Sequence, residues 1–528
     1  MAPLAAAQGR CAACDEAFRV FACLWGQMQL LRLCTSLCRQ RLTLLEWLNA
    51  VGPRASTTLL SCVMCVVVPD EATIVAAVCS SLASAWLLMP DGVDDGGMLE
   101  LLAHVNLVAG LAWSLFTGRP ACEGWAASAP AVRCLLVLVF GFAALARLNS
   151  DYHDVRRSSS TALALQLADA LGASLGLSEQ AVDSLGDRRI TLCLRALLLG
   201  LETLGLAVPV LLWCGATSLG LACAWALALA LGCGTAAFDM SCLLVASLPF
   251  WVPPHRVLAL RWMTVAPAAR FCGLLAATML LGPALLQQSS HVRWRLRLAT
   301  LIWMVAANPL QYTAVSLPDI AACDTVPGAA GLAGVLPQVG VLTLILAMLN
   351  GACPYLGLKT QATWSMFSNL HVEGGVSNHL LIPASLQPFG YAHDCVTVVK
   401  TNVPALQEQH AMAGGVARLR LFRSYVERTG TEAALSLAGG LWGERAALPY
   451  DVPYFQLRRV IAVHALPLLQ EFFVEYVHCG AVRRFEARGG AALRGADAWL
   501  ARPPRRLLRG LLAFRAVPSR GRGAAIAW

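Results

Sequence analysis

Residues 129–148 read APAVRCLLVLVFGFAALARL, and their character predicts the class of the fold. A helix needs roughly 20 mostly apolar residues to cross a hydrocarbon core about 30 Å thick. This stretch has that length, and its charged residues are Arg133 and Arg147. Lipid offers no partner for backbone N–H and C=O groups, so a crossing segment satisfies them internally, as a helix does. The stretch therefore predicts a membrane-spanning helix.

Apolar stretches of similar length recur along the chain. Hydrophobic residues make up 57% and charged residues 13% of the sequence, outside the range of ordinary soluble domains. Two further segments leave alternatives open. Residues 17–37 contain Arg19 and Arg32 and either span the membrane or lie along its interface. The short segment 238–252 is either a re-entrant piece or the end of the preceding span. We predict a polytopic α-helical membrane bundle of about 8–10 spans. The clearest spans are residues 72–90, 98–116, 129–148, 190–213, 216–237, 268–287, 296–314 and 328–350.

The chain changes character after residue 355, where the apolar spans stop. Short segments of strand-like composition follow at residues 379–382, 395–400, 454–463 and 471–479, with Gly pairs between them. A small soluble α+β or β-rich C-terminal domain is therefore expected. The predicted organisation is an N-terminal region with an interfacial or first membrane helix (1–54), a bundle (55–354) with a long loop at 149–189, the soluble domain (355–490) and a basic tail (491–528).

Charge and cysteine content narrow the function classes. The formal net charge is +9, and almost all of the positive charge is arginine. The basic tail lacks interleaved aromatic residues and a recognisable module, so no nucleic-acid partner is expected. Membrane lipid is the expected partner.

Many of the 20 cysteines lie in apolar spans, where they act as small hydrophobic residues. The Cys11–Cys14 pair has no second pair at metal-ligand spacing, and no metal site is predicted.

Polar groups at membrane depth are the candidates for chemistry, because such groups are costly there and usually line a bundle interior. Glu100 and His104 are four residues apart and so share one helix face, with Asn106 nearby. A carboxylate that orients an imidazole favours a general base. The alternative is that Glu100 lies at the aqueous edge and His104 bonds a neighbouring helix.

A second polar group closes the span at 129–148, in the sequence ARLNSDYHD. Arg147 and Asp151 are one helical turn apart, which favours an ion pair at the membrane boundary over a catalytic role. Glu202 lies in a mostly apolar stretch, where a carboxylate is neutral or paired with an arginine of another helix. The catalytic candidates are therefore His104, Arg147, Asp151 and Glu202.

Several of these segments resemble one membrane family. Residues 133–154, RCLLVLVFGFAALARLNSDYHD, resemble the apolar helix and KLN-type signature of the horizontally transferred transmembrane (HTTM) domain, the membrane module of the vitamin K-dependent γ-carboxylases. The His104 helix, Glu202 followed by Pro209, and Asn350-Gly351 followed by the segment 364–367 resemble further family elements in the same order. The resemblance covers most of residues 60–400 and implies an HTTM-like bundle.

The segment after the last predicted span is similar to an uncharacterised subgroup of that family. Its motifs are PYLGLKT, MFSNL, EGG, SNHL and PYFQLRR. Three roles are open for the polar side chains of these motifs: they roof a bundle cavity, coordinate a metal or fold a loop. Their spacing does not fit a helical zinc motif, so the loop interpretation is favoured over metal binding. These residues are Asn369, His371, Glu373, Asn378 and His379.

One departure from the family pattern bears on activity. In the carboxylases the signature supplies a lysine whose free amine acts as a base, and Arg147 matches that position here. A guanidinium stays charged in proteins, so Arg147 cannot act as that base. The sequence leaves open whether the chain is an enzyme, and the replacement of the lysine by Arg147 argues against it.

The first hypothesis is an HTTM-like membrane protein that binds a lipid or quinone in the bundle and a partner through the C-terminal domain.

The second hypothesis is a membrane oxidoreductase or carboxylase-like enzyme that acts on a lipophilic cofactor. His104 would be the base, and Arg147 would hold an anionic oxygen. Convergence of His104, Arg147 and Glu202 on one cavity would favour this enzyme. Transport is less attractive, because no inverted repeat or matching pair of broken spans is evident.

Overall fold

The structure is a computed structural model, mostly helical, with an antiparallel sheet near the C-terminus. It describes residues 15, 18–30, 53–88, 95–156, 175–232, 238–251, 336–360, 370–403, 421–429, 450–465 and 471–488, with short pieces at 158–172, 363–368, 406, 419 and 491–518. The predicted spans at 268–287 and 296–314, Cys11, Cys14 and Asn369 lie outside these residues.

The helices are numbered in chain order. They are α1 (18–30), α2 (Pro53–Val67), α3 (Glu71–Leu88), α4 (Asp95–Thr117), α5 (Ala121–Arg147), α6 (Ser150–His153), α7 (Glu179–Asp183), α8 (Asp187–Trp213), α9 (Thr217–Gly232), α10 (Phe238–Ala246), α11 (Leu336–Leu356), α12 (Arg423–Thr429) and α13 (Tyr454–Val460).

Four helices in the described part of the chain are long and apolar enough to cross a membrane: α4, α5, α8 and α11. Each corresponds to one predicted span. The predicted spans at 72–90 and 216–237 also coincide with helices, α3 and α9. Their apolar parts, Glu71–Ala83 and Leu219–Ala228, are shorter than the four span-length helices. The segment 238–252 forms α10 and a 3-10 turn at Leu248–Trp251. Helix α2 was not predicted, because its 15 residues are too short for a span and carry several hydroxyl groups.

The described helices and strands form two compact units that alternate along the sequence. Unit 1 takes its residues from Met1–Leu88, Gly96–Gly141 and Leu204–Met348, and unit 2 from Met89–Asp95, Phe142–Thr203 and Leu349–Trp528. Long helices therefore begin in one unit and end in the other. The segment after α5 belongs to the same unit as the C-terminal sheet.

In unit 1, α4 and α5 approach so closely that glycine is required at the crossing. A Cβ on Gly110 would overlap the carbonyl oxygen of Gly124, and a Cβ on Gly124 would overlap that of Gly110. Ser114 and Ser128 follow each glycine by four residues and are buried. This pair of small-xxx-small patterns is typical of helix packing in membranes, where small residues let backbones approach. The crossing at Gly110 and Gly124 was not predicted from the sequence.

The sheet of unit 2 has six antiparallel strands in the order β5-β4-β3-β1-β2-β6. The strands are β1 (Cys395–Thr401), β2 (Tyr450–Pro453), β3 (Phe472–His478), β4 (Ala481–Arg488), β5 (Ala491–Ala492) and β6 (Val517–Pro518). Cys479 and Gly480 join β3 to β4 with positive φ angles of 50° and 80°. Two successive residues of positive φ form the type I′ turn that suits the twist of a hairpin.

Two of the four strand predictions are correct and two are wrong. The segments 395–400 and 471–479 form β1 and β3. Residues 454–463 instead form α13 and a π-helical turn, because Pro453 at the N-cap starts a helix whose apolar residues face the sheet core. Residues 379–382 form a single bridge, from His379 to Asn149, followed by a bend. The alternation of apolar and polar residues does not distinguish these cases over so few positions.

Candidate functional site

His104 lies in the buried centre of unit 1, next to an aromatic cluster. Its side chain is 1% exposed, and its Nε2 accepts a hydrogen bond of 2.9 Å from the indole N–H of Trp25. The ring proton of a neutral His104 is therefore on Nδ1. Glu100 is 3.8 Å from the same Nε2 and is bonded by the amide of Gln29. The lone pair that a general base would use is engaged by Trp25.

Asn106 follows on the same helix and bonds to another helix of unit 1. Its side-chain amide donates to Thr343 Oγ1 at 2.9 Å and to the carbonyl of Leu102 at 2.8 Å. Both side chains are buried. Asn106 thus ties α4 to α11, the interhelical bonding typical of polar groups in apolar bundles.

A small apolar cavity lies between α5, α8, α9 and α10 in unit 1. Phe140, Leu221, Leu244 and Trp251 are among its lining residues. The cavity also contains the side chain of Trp225, whose buried indole N–H has no hydrogen-bond partner among the described residues. The lining is thus mostly apolar, with the indole N–H groups of Trp225 and Trp251 and the hydroxyl of Ser247 among its polar groups.

In unit 2, the end of α5 is joined to the loop before β1 by a group of polar residues. Asn149 caps the short helix α6, since its side-chain oxygen accepts from the backbone N–H of Tyr152 at 2.9 Å. The amide of Asn378 donates to Asp151 Oδ2 at 2.9 Å, and its oxygen accepts from the backbone N–H of His371 at 2.8 Å. Asp151 and Asn378 are therefore in contact, and each helps to fix a loop.

His379 holds the same loop against α5. Its Nδ1 accepts from the backbone N–H groups of Leu381 and Ile382 at 3.0 and 3.1 Å, and its Nε2–H donates to the carbonyl of Leu145 at 2.9 Å. These bonds require the neutral ring with its proton on Nε2. Desolvation by burial lowers the pKa of His379 and so favours that form.

Arg147 ends α5 and is almost fully buried, with 5% of its side chain exposed. Its Nε has no hydrogen-bond partner among the described residues. Asp151 accepts a hydrogen bond from Asn378, and its pairing with Arg147 stays a prediction. Tyr152, five residues later, is fully buried, and its hydroxyl lies beside the side chain of Ser160.

Glu202 of α8 is buried and faces His153, with 3.6 Å between Glu202 Oε2 and His153 Nδ1. From its apolar surroundings in the sequence, Glu202 was expected to be neutral or paired with an arginine, whereas it faces His153. Burial raises the pKa of Tyr152, Arg147 opposes that shift and Glu202 adds to it. Arg147, Tyr152 and Glu202 are buried and interact electrostatically at Tyr152, whereas His153, which Glu202 faces, is exposed.

The remaining C-terminal candidates have loop partners. Glu373 is 7% exposed and accepts from the backbone N–H of Val372 at 2.9 Å, and His371 bonds to Asn378 through its backbone. In the part of the chain that the structure describes, no group of three His, Cys, Asp or Glu side chains is placed to hold a metal. These contacts are those of a folded loop.

The structure distributes the four catalytic candidates over the two units. His104 belongs to unit 1, whereas Arg147, Asp151 and Glu202 belong to unit 2. Trp25 and Trp225, which supply the donor to His104 and a donor in the cavity lining, were not predicted from the sequence, nor was the buried Tyr152. Aromatic residues in apolar stretches give no signal of a polar role, although the DY pair of the family signature does include Tyr152.

Comparisons with known proteins leave the family open. No protein-family model, curated protein or solved structure matches the chain.

Proposed function

We propose that this protein is a multi-pass integral membrane protein of the HTTM-like type that binds a lipid or quinone through the apolar cavity of unit 1. The observation that carries the proposal is the unpartnered indole N–H of Trp225 in a cavity lined almost entirely by apolar side chains. A buried donor without an acceptor is costly, so a ligand that supplies one is stabilised there.

The cavity chemistry selects an amphiphile with a carbonyl group. Ser247, another polar residue in the lining, already donates its hydroxyl to the carbonyls of Leu243 and Leu244. The indole N–H of Trp225, which has no partner among the described residues, is thus a donor for a quinone or ester carbonyl.

A membrane setting is supported by the four span-length helices and by the close Gly110–Gly124 crossing. Helix α8 has exposed apolar residues along its length, among them Leu192, Leu199 and Val210. Apolar side chains on the outside of a long helix are stabilised by lipid rather than by water.

The proposal assigns no reaction. A guanidinium such as that of Arg147 offers no lone pair to a general base, and the Nε2 of His104 is engaged by Trp25. A carboxylase-like base would need a free lone pair in a position to take a proton from the substrate. The chemistry of these two side chains therefore favours ligand binding over catalysis.

The test is co-purification. The full-length protein is purified in a mild detergent, and bound quinones and lipids are extracted and identified by mass spectrometry. We expect wild type to retain a carbonyl-bearing amphiphile and Trp225→Phe, which keeps the ring but removes the N–H, to retain much less. Trp213→Phe is the matched control, because Trp213 is 79% exposed. Equal retention by Trp225→Phe and wild type would contradict the proposal.

A further inference from the structure

The segment that leads into β1 in unit 2 leaves large apolar side chains uncovered. Residues 374–392, here called the apolar loop, contain no Asp, Glu, Lys or Arg. Groups of exposed apolar residues are uncommon on soluble monomers and mark sites of interaction with a protein or a membrane. Five large apolar side chains of the loop have between 44% and 68% of their surface exposed: Val376, Leu380, Leu381, Leu386 and Phe389.

The apolar loop is bonded to the ends of two span-length helices. The backbone N–H of Leu380 donates to the carbonyl of Leu148, just beyond α5, at 2.9 Å. The backbone N–H of Phe389 donates to the carbonyl of Leu356, the last residue of α11, at 3.3 Å. Because one loop is bonded to both helix ends, α5 and α11 end at the same level.

Charged residues mark that level as the edge of an apolar layer. Arg147 closes α5 and Lys359 follows α11, whereas α11 itself contains no charged residue. Basic side chains at the ends of spanning helices are favoured at the boundary between lipid and water. The apolar loop therefore lies at the depth of the lipid head groups when α5 and α11 cross a bilayer.

The centre of the apolar loop pairs its backbone polar groups within the protein. His379 Nδ1 accepts the N–H groups of Leu381 and Ile382, and the hydroxyl of Ser377 donates to the carbonyl of Ile382 at 2.8 Å. With the N–H of Leu380, three successive N–H groups have protein acceptors. A loop in water does not need such pairing, because water supplies the partners. In lipid an unpaired backbone group is costly, so the pairing suits an apolar surrounding.

We propose that the apolar loop inserts its exposed side chains between the head groups and upper acyl chains of the bilayer that α5 and α11 cross. The bilayer is favoured over a protein partner because the loop is fixed to the ends of spanning helices and has no charged side chain. Such an interfacial anchor would help to set the depth and tilt of both helices. The inference rests on the membrane setting proposed above, but not on a ligand in the Trp225 cavity.

The experiment uses the full-length protein in phosphatidylcholine nanodiscs. An environment-sensitive fluorescent amino acid replaces one residue at a time: Leu381 in the apolar loop, Leu199 in α8 or Val482 in β4. All three side chains are apolar and exposed, but Val482 precedes two arginines in a strand of the sheet. Phosphatidylcholine that carries a nitroxide quencher near its head group (shallow) or near the end of an acyl chain (deep) then measures lipid contact at each position.

The shallow nitroxide should quench the Leu381 probe at least about twofold more than the deep one, because an interfacial element lies where head groups meet acyl chains. The Leu199 probe should be quenched by lipid, and the Val482 probe should not. An unquenched Leu381 probe beside a quenched Leu199 probe would overturn the loop proposal and leave the membrane setting intact. If neither of these probes is quenched, the membrane setting fails as well. Quenching of Leu381 that is stronger with the deep nitroxide, or no stronger than at Val482, would also overturn the loop proposal.

Two double variants test the assigned side chains. When Leu380→Ser and Leu386→Ser are combined, shallow quenching of the Leu381 probe should fall by about half or more, because the loop has lost much of its apolar surface. Val399→Ser with Val482→Ser is the matched control, since both residues are exposed on the sheet, and it should leave the quenching unchanged. Unchanged quenching in the loop variant, or an equal fall in the control, would overturn the assignment.

Two further measurements separate this proposal from a change of fold and from ligand binding. The Leu199 probe should stay quenched in the Leu380→Ser/Leu386→Ser variant, and its loss there would overturn the assignment by tracing the effect to the helices. Trp225→Phe should leave the quenching of the Leu381 probe unchanged even if it loses the co-purified ligand. Failure of one proposal is therefore distinguishable from failure of the other.

Discussion

The side-chain amide of Asn378 donates a hydrogen bond of 2.9 Å to the carboxylate of Asp151, across 227 residues of sequence. The same Asn378 side chain accepts the backbone N–H of His371 at 2.8 Å. The two motifs that the sequence analysis treated separately, LNSDY and SNHL, are therefore one structural unit. Its polar groups connect the end of α5 to the loop that precedes β1.

The first prediction concerns this connection. Asn378→Ala should lower the free energy of unfolding by about 1–3 kcal/mol, because it removes bonds to the buried carboxylate of Asp151 and to the backbone N–H of the half-buried His371. Asn378→Asp should be worse near neutral pH, since it places a second carboxylate against Asp151. Chemical denaturation in detergent measures both. Val376→Ala in the same loop is the control, because Val376 is 51% exposed. A loss in the control as large as in Asn378→Ala would contradict the prediction.

The second prediction is a dependence on pH that comes from His379. Burial lowers its pKa below the value of about 6.5 that it has in the unfolded chain. The unfolded state therefore takes up the proton first, so the contribution of His379 to stability is complete above about pH 6.5 and is lost as the pH falls through the folded pKa. Protonation of Nδ1 would break its two bonds to Leu381 and Ile382.

Denaturation curves from about pH 7 to pH 5 test this dependence. Wild type should lose stability as the pH falls, and His379→Gln should show a shallower loss from a lower starting value. If both proteins lose stability in parallel, the titrating group is not His379.

The third prediction concerns the crossing of α4 and α5. Gly110→Ala and Gly124→Ala should each destabilise the protein by about 1–3 kcal/mol, because the added methyl group meets a backbone carbonyl that cannot rotate away. Gly141→Ala on α5 is the control, since its Cβ would have open space within 4 Å. The midpoint of thermal unfolding reports the difference. Similar midpoints for Gly110→Ala and Gly141→Ala would argue against the close approach.

The fourth prediction distinguishes two cysteines of the sheet. Burial, with a smaller contribution from Glu373, raises the pKa of Cys395 to about 12, so it remains a thiol at neutral pH. Cys479 is exposed in the turn between β3 and β4. Iodoacetamide should therefore modify Cys479 at least about tenfold faster than Cys395, because the thiolate is the reactive form. Peptide mass spectrometry gives both rates, and denatured protein, in which the two rates should converge, serves as the reference.

Much of the helical part could be predicted from the sequence, and particular residues show why. The span at 129–148 corresponds to α5 because its apolar run is long and its few charges are near its ends. The helix extends to Ala121 because Glu123, at its start, suits the positive end of the helix dipole. A long apolar run is a strong signal of a spanning helix, whereas the sequence gives only a weak signal of the residue at which the helix starts.

The sheet and the candidate site were harder to predict. Residues 454–463 were assigned to a strand, but tertiary packing of α13 on the sheet core outweighs the local β propensity of Tyr454 and Val460. The pairing of Asp151 with Asn378 depends on contacts over 227 residues, which spacing alone does not reveal. The protein partner expected for the C-terminal domain and the HTTM-like family stay predictions.

The turn between α4 and α5 has a consequence for how the chain enters a bilayer. Gly118, Arg119 and Pro120 separate the two helices, and Gly118 has a positive φ of 64°. With so short a connection and a glycine crossing that brings the backbones together, the two segments would leave the translocation machinery as a paired hairpin rather than one after the other. Asp95 and Arg147 would then emerge on the same face of the bilayer, so a cysteine placed beside each should be labelled from the same compartment.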